Sequence, residues 1–98
     1  FALRAATLNG AKAIGLEAKI GSIEVGKQAD FAAVRLSELE TQPMFHVISQ
    51  LVYATGRHQV SDVWIAGRRK LAGRELVGMD IAAILERTCA WRERIASA

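Results

Sequence analysis

The chain has 98 residues, half of them apolar and under a quarter charged, which suits one globular domain and excludes two. Its net charge of +3 arises from 13 basic and 10 acidic residues that are spread along the chain. The densest basic cluster, Arg68-Arg69-Lys70 with Arg74 beyond it, has only Trp64 as an aromatic neighbour, so a solvated strand end explains it better than nucleic-acid binding.

Residues 2–14 place Leu3, Ala6, Gly10, Ala13 and Ile14 at helical spacing, and the alanine content supports a helix. Ala6, Gly10 and Ala13 allow close approach of another element. Thr7 or Asn9 is placed to cap or kink the helix locally, and Gly15 suits its C-terminal cap with Leu16 packing back. The helix begins directly after Phe1 with no capping residue ahead of it. The expectation is therefore a piece of a longer protein.

Residues 19–28 are rich in turn signals, and 29–36 then read as a strand. Phe31 and Ala33 point to one side and Ala32, Val34 and Leu36 to the other, which predicts cover on both faces. Residues 37–45 form a loop around Pro43, the one proline. In 46–55, Val47, Leu51 and Ala54 suit a short helix while the β-branched residues argue for strand. A helix ending at Gly56 as its C′ residue is the expectation.

Residues 59–66 alternate as a strand, with a phase slip near Asp62 that predicts a bulge. Gly67-Arg68 reads as a turn, 69–72 as the return strand, Gly73-Arg74 as a second turn and 75–77 as a last short strand. Asp80 or Met79 then begins a C-terminal helix. Ile81, Ile84, Leu85, Thr88, Trp91 and Ile95 form one stripe of it, and Glu86, Arg87, Arg92, Glu93 and Arg94 the other face. Cys89, the one cysteine, excludes an internal disulfide, reads as a small buried hydrophobe and points to a reducing, cytoplasmic setting. No apolar run approaches the ~20 residues needed to span a bilayer, so no membrane partner is expected. The fold class is α+β: a helix, a small mostly antiparallel sheet and an amphipathic helix.

Gly21-Ser22-Ile23-Glu24-Val25-Gly26-Lys27 has the spacing of a phosphate-binding loop. Such a loop follows a strand, precedes a helix and carries Ser or Thr after the lysine. Here a helix precedes, a strand follows, Gln28 takes the hydroxyl position and Glu24 puts a negative charge inside the cradle. The glycines read instead as turn residues that need positive φ.

The same stretch resembles the tail of the amidohydrolase superfamily. The matching residues are Ala6, Thr7, Asn9, Gly10 and Ala11, then Gly21, Ser22, Ile23, Glu24, Gly26, Lys27, Ala29 and Asp30; Val25 stands where the family often has proline. The stretch from Pro43 to Leu71 resembles the chlorohydrolase and aminohydrolase branch, which includes methylthioadenosine and S-adenosylhomocysteine deaminases. The family's usual Asp-Pro near His46-Val47 is missing.

The resemblance implies a C-terminal segment of a metal-dependent hydrolase acting on non-peptide C–N bonds, such as a deaminase of an adenosine derivative or related N-heterocycle. Residues 1–16 would be an outer helix of its (β/α) barrel, 19–77 would supply strands of its small β-sandwich with a short helix near 46–55, and 79–97 would pack back onto the barrel. A divalent metal, zinc or iron, held by a His-x-His pair, two further histidines and an aspartate, would polarise the attacking water.

None of those ligands lies in this chain. His46 reads as a loop histidine, and His58, beside Arg57, is disfavoured near a cation. Asp30 and Asp62 read as turn or ladder partners. Ser49 and Tyr53 share a helical face with no base in reach, and Trp64 and Trp91 read as core anchors. No residue is assigned a catalytic, metal-ligating or substrate-binding role. The expected partners are the remainder of the parent enzyme and a second copy of the chain. The competing reading is a stand-alone interaction module without catalysis.

Overall fold

A computed structural model describes all 98 residues. Helix α1 runs through three consecutive stretches, α-helical Ala2–Arg4, π-helical Ala5–Asn9 and α-helical Gly10–Ala13. The widened middle contains both residues singled out for a local distortion. Thr7 turns its hydroxyl back to the Leu3 carbonyl at 2.7 Å, and a Cβ on Gly10 would lie 3.0 Å from the Ala5 carbonyl oxygen. The helix ends as expected. Gly15 takes φ +71°, its N–H bonds to the Lys12 carbonyl at 3.1 Å and the Leu16 N–H to the Ala11 carbonyl at 2.9 Å, the paired bonds of a Schellman cap.

A turn-rich segment then returns the chain along α1. Gly21 and Gly26 both have positive φ, 92° and 93°. Gly21 presses against the helix, where an added Cβ would meet the Ala11 Cβ at 2.7 Å and the Leu8 Cα at 3.1 Å. Ala11 is the one buried apolar residue of the chain.

The sheet is a four-stranded antiparallel meander in the order β1 (Phe31–Val34), β2 (Val60–Ile65), β3 (Arg68–Ala72), β4 (Glu75–Leu76). On β1, Ala33 faces Asp62 while Val34 faces Val60, so Ser61 is the extra residue of a bulge, at the predicted phase slip. The first hairpin turn is Ala66-Gly67 rather than the expected Gly67-Arg68, since Ile65 faces Arg68 across it. Both central residues have positive φ, 51° and 75°, as a tight hairpin turn requires, and Ala66 accepts that conformation. Gly73-Arg74 forms the second turn as expected, at φ 52° and 73°.

Between β1 and β2 lie a 3-10 turn (Leu39–Thr41), helix α2 (Val47–Tyr53) and a second 3-10 turn (Arg57–Gln59). Gly56 does not end α2 as a left-handed residue. Its φ is −99°, extended, and it opens the second 3-10 turn. An added Cβ there would lie 2.7 Å from the His58 ring, so a larger residue would push that exposed side chain aside.

Helix α3 spans Ile81–Ala96 and is capped by Asp80, whose carboxylate accepts the Ala83 N–H at 3.1 Å. It has no buried residue. Cys89 is exposed, not buried. Trp91 is 57% exposed and is no core anchor. Phe31 and Ala32 of β1 are exposed too, against the expected cover on both faces. One cause underlies all three corrections: within these residues nothing lies over those surfaces. The radius of gyration, 17.7 Å, exceeds the roughly 13 Å of a compact domain of this length. No helix is long and apolar enough to cross a membrane.

The close approach at Gly21 yields a test. Gly21→Ala combines a left-handed backbone, costing about 1–2 kcal/mol, with overpacking against Ala11, costing about 1–3 kcal/mol more. Gly26→Ala carries only the first cost, because nothing lies within 4 Å of its added Cβ. Urea unfolding should show the larger loss for Gly21→Ala; equal losses would overturn the contact with α1.

Candidate functional site

The Gly21–Lys27 turn brings together the polar side chains of Ser22, Glu24 and Lys27. Lys27 is mostly buried, with its side chain 14% exposed, and lies 3.1 Å from the Glu24 carboxylate. Its ammonium donates to the Ser22 hydroxyl at 2.7 Å and reaches the Ile20 carbonyl at 3.5 Å. Ser22 donates in turn to Glu24. That hydroxyl, and then the Lys27 ammonium, hold the Glu24 carboxyl below its usual range. The lysine that a phosphate would need is engaged by its own turn, and the turn follows α1 and precedes β1. The segment is a folded clamp, not a phosphate cradle.

Asp30 and Asp62 act on turns. The Asp30 carboxylate accepts the Ala66 N–H at 2.6 Å, and the Ala29 carbonyl accepts the Gly67 N–H at 3.0 Å, so the start of β1 fastens the β2–β3 turn. Asp62 accepts from the Arg69 guanidinium and from the Gly73 N–H, the latter at 3.1 Å. The Arg69 hydrogen bond, with smaller help from Ser61 and Gly73, lowers its pKa to about 2. Arg69 also lies 5.3 Å above the Trp64 ring, which stacks on Phe31 with centroids 4.6 Å apart. These residues face one another across β1, β2 and β3. Trp64 thus serves as a cross-strand brace.

His46 is the N-cap of α2. Its Nδ1 accepts the Ser49 N–H at 3.2 Å and lies 3.3 Å from the Ser49 hydroxyl. Ser49 therefore does have a basic group within reach, contrary to the sequence reading. The three-residue spacing at a helix start was the available signal. The same nitrogen is satisfied by the backbone donor, so the pair is a cap and not an activated nucleophile. Tyr53 is exposed on α2. His58 meets Glu40 at 3.5 Å on the surface.

The chain has no group of three or more His, Cys, Asp or Glu side chains placed to hold a metal ion. With His46 and His58 engaged as described, these residues do not fit a divalent-metal centre. A concavity of about 720 Å³ lies between α1 and the segment leading into β1. Leu3, Ile14, Ile20, Ile23 and Phe31 give it an apolar lining, with Asp30 at its edge. It offers surface to be covered, and no paired nucleophile and base.

Residues 2–70 match the amidohydrolase family. The 5-methylthioadenosine/S-adenosylhomocysteine deaminase of Teredinibacter turnerae is 45% identical over 94 residues, covering 96% of this chain and 21% of that protein. The protein of the same name from Saccharophagus degradans is 40% identical, with the same two coverages. Among solved structures, an adenosine deaminase from Xanthomonas campestris with bound zinc matches at TM-score 0.92 and 62% identity, covering 98% of this chain and 22% of that one. Atrazine chlorohydrolase from Arthrobacter aurescens, complexed with zinc, matches at TM-score 0.80 and 26% identity, covering 90% and 19%. The chain spans about a fifth of the length of these relatives.

The Asp62 clamp predicts a pH dependence. Its folded pKa of about 2 lies below the ordinary value of about 3.9. The stability it adds is therefore present above about pH 4 and is lost as pH falls toward 2. Urea midpoints measured from pH 5 to pH 2 should fall more steeply for the parent chain than for Asp62→Asn. Parallel slopes would show that the clamp contributes nothing.

Proposed function

The chain belongs to the amidohydrolase family, and we propose that it is the C-terminal scaffold of a metal-dependent hydrolase that releases ammonia from an adenosine derivative. The observation that carries this is the match of nearly the whole chain to deaminases, at 45% identity to one of them and 62% to another of known structure. Residues 1–16 form an outer helix of the barrel, 19–77 strands of the small sandwich with a short helix, and 79–97 the helix that returns to the barrel. The metal site and the substrate site lie in the remainder of the enzyme. Zinc, rather than iron, is the metal favoured by the two relatives that hold it.

Substrate choice also belongs to that remainder. Relatives named for adenosine and for atrazine keep the backbone of this segment, down to 26% identity, so it carries fold rather than selectivity. The single, exposed thiol of Cys89 suits a reducing compartment, and the cytoplasm is the setting proposed.

The metal assignment is checked by purifying the 98-residue chain alone and joined to the rest of the hydrolase. After dialysis the chain alone should keep no stoichiometric zinc and release no ammonia from adenosine or methylthioadenosine, while the joined protein should do both. A zinc-loaded, active 98-residue chain would overturn the assignment.

Alone, the chain should also self-associate. Fully burying one Ile or Leu contributes about 1.5–3 kcal/mol, and α3 exposes Ile81, Ile84, Leu85 and Ile95 beside Trp91. Light scattering should give a dimer or larger species that Trp91→Ala weakens. A monomer at high concentration, unaffected by Trp91→Ala, refutes the association.

A further inference from the structure

Helix α3 carries one charge where its apolar stripe should be uninterrupted. At 3.6 residues per turn, Arg92 lies one turn beyond Thr88 and two beyond Leu85, inside the stripe. It does not sit on the polar face where the sequence reading put it. The structure agrees: Arg92 lines a shallow apolar depression with Thr88, Trp91, Ile95 and Ala96. Arg87 and Arg94 lie on one flank, and Arg94 is engaged with the Trp91 ring at 4.4 Å. Glu86 and Glu93 lie on the far side. Arg92 takes part in none of the ion pairs of the chain.

Arg92 lies between Thr88 and Leu85 around the helix, so a surface that covers the stripe as far as Leu85 also covers Arg92. A covered guanidinium without a partner is costly, whereas one paired to a carboxylate is tolerated. In a second copy Glu86 and Glu93 point away from the stripe and the Asp80 carboxylate is taken up as the N-cap of α3, so self-pairing through α3 leaves Arg92 unmatched. The proposed hydrolase is about five times as long as this chain, judged by its relatives, and the missing part is the available source. We propose that the remainder of the enzyme covers the α3 stripe with an apolar surface that sets one Asp or Glu opposite Arg92. This pair registers the helix on its seat. The inference rests on the functional reading above and adds the chemistry of the contact.

Removing the guanidinium would orphan the facing carboxylate. A buried, unpaired carboxyl has a folded pKa raised above its unfolded value, so its cost is largest at neutral pH and relieved as pH falls through the raised pKa. The experiment uses the full hydrolase carrying this chain, with thermal midpoints at pH 7.5 and 5.5. Arg92→Met should lower the midpoint at pH 7.5, and the deficit should shrink by about half or more at pH 5.5. Arg92→Lys keeps the charge and should restore most of the midpoint at both pH values. Arg87→Met, on the flank, should show no pH-dependent deficit.

Overlapping profiles for Arg92→Met and Arg87→Met would overturn the proposal. So would a deficit that appears only as a protein-concentration dependence, which would make a second copy the partner. Ammonia release from the same preparations separates the two readings. An active enzyme with a flat Arg92→Met deficit sinks the contact alone. An inactive protein that keeps the pH-dependent deficit sinks the function alone.

Discussion

Gln59 holds the middle of this chain together. The residue is 2% exposed, and every polar atom of its side chain is matched. The amide oxygen accepts the Gly56 N–H at 2.9 Å. The amide nitrogen donates to the Arg35 carbonyl at 3.1 Å and to the Thr41 hydroxyl at 3.3 Å. Thr41, fully buried, donates onward to the Leu36 carbonyl at 2.8 Å. One glutamine thus ties the end of β1, the 3-10 turn after it and the turn before β2. The Arg35 N–H bonds to the Gln59 carbonyl at 2.7 Å, so the same residue sets where β1 and β2 begin to pair. A buried amide with one partner removed costs about 1–3 kcal/mol. In a chain with a single buried apolar residue that loss has little to offset it.

Much of this arrangement is legible in the sequence, and the reason is local. Strand alternation located β2, and its phase slip located the Ser61 bulge, because period two is broken only by an inserted residue. Gly15 ends α1 where the helical spacing stops. Gly21 and Gly26 were readable as turn positions because few other residues take positive φ. What was not readable depends on partners distant in sequence or on fine geometry. Ala66 at φ 51° gives no compositional warning, so the first hairpin turn was read one residue late. Gly56 reads as a helix end in sequence, since the extended backbone that opens the second 3-10 turn there is invisible without coordinates. The burial expected for Trp91 rested on the stripe pattern, and that expected for Cys89 on its residue type within a helical pattern. A stripe states that a face will be covered, and not by what.

The candidate site shows the same division. Sequence spacing made Lys27, Asp30, Asp62, His46 and Ser49 worth inspecting, and each has chemistry to offer in isolation. Folding engages them locally: Lys27 with Ser22 and Glu24, Asp30 with the Ala66 amide, Asp62 with Arg69, and His46 with Ser49. Ordering by hydrogen bond is how a segment with little core keeps a defined shape. Those side chains are thereby engaged with their neighbours rather than free to act as acids, bases or ligands. The apolar side chains, by contrast, face outward along the groove beside α1 and along α3.

That combination has a physical logic for a scaffold. Covering an apolar face is worth about 25 cal/mol per Å², but the gain shrinks if the face must first be ordered, at about 1–2 kcal/mol of backbone entropy per residue. Here the ordering is done beforehand. The Lys27 clamp fixes the loop that carries Ile23, and the Arg69–Trp64–Phe31 row stiffens the strand that supplies the groove with Phe31. The Asp62 carboxylate anchors the far end of that row on the Gly73 turn. Each clamp lies beside an apolar surface rather than beneath it. The polar network therefore presets the shape, and under the function proposed above the hydrophobic gain of covering it is retained for attachment to the rest of the hydrolase.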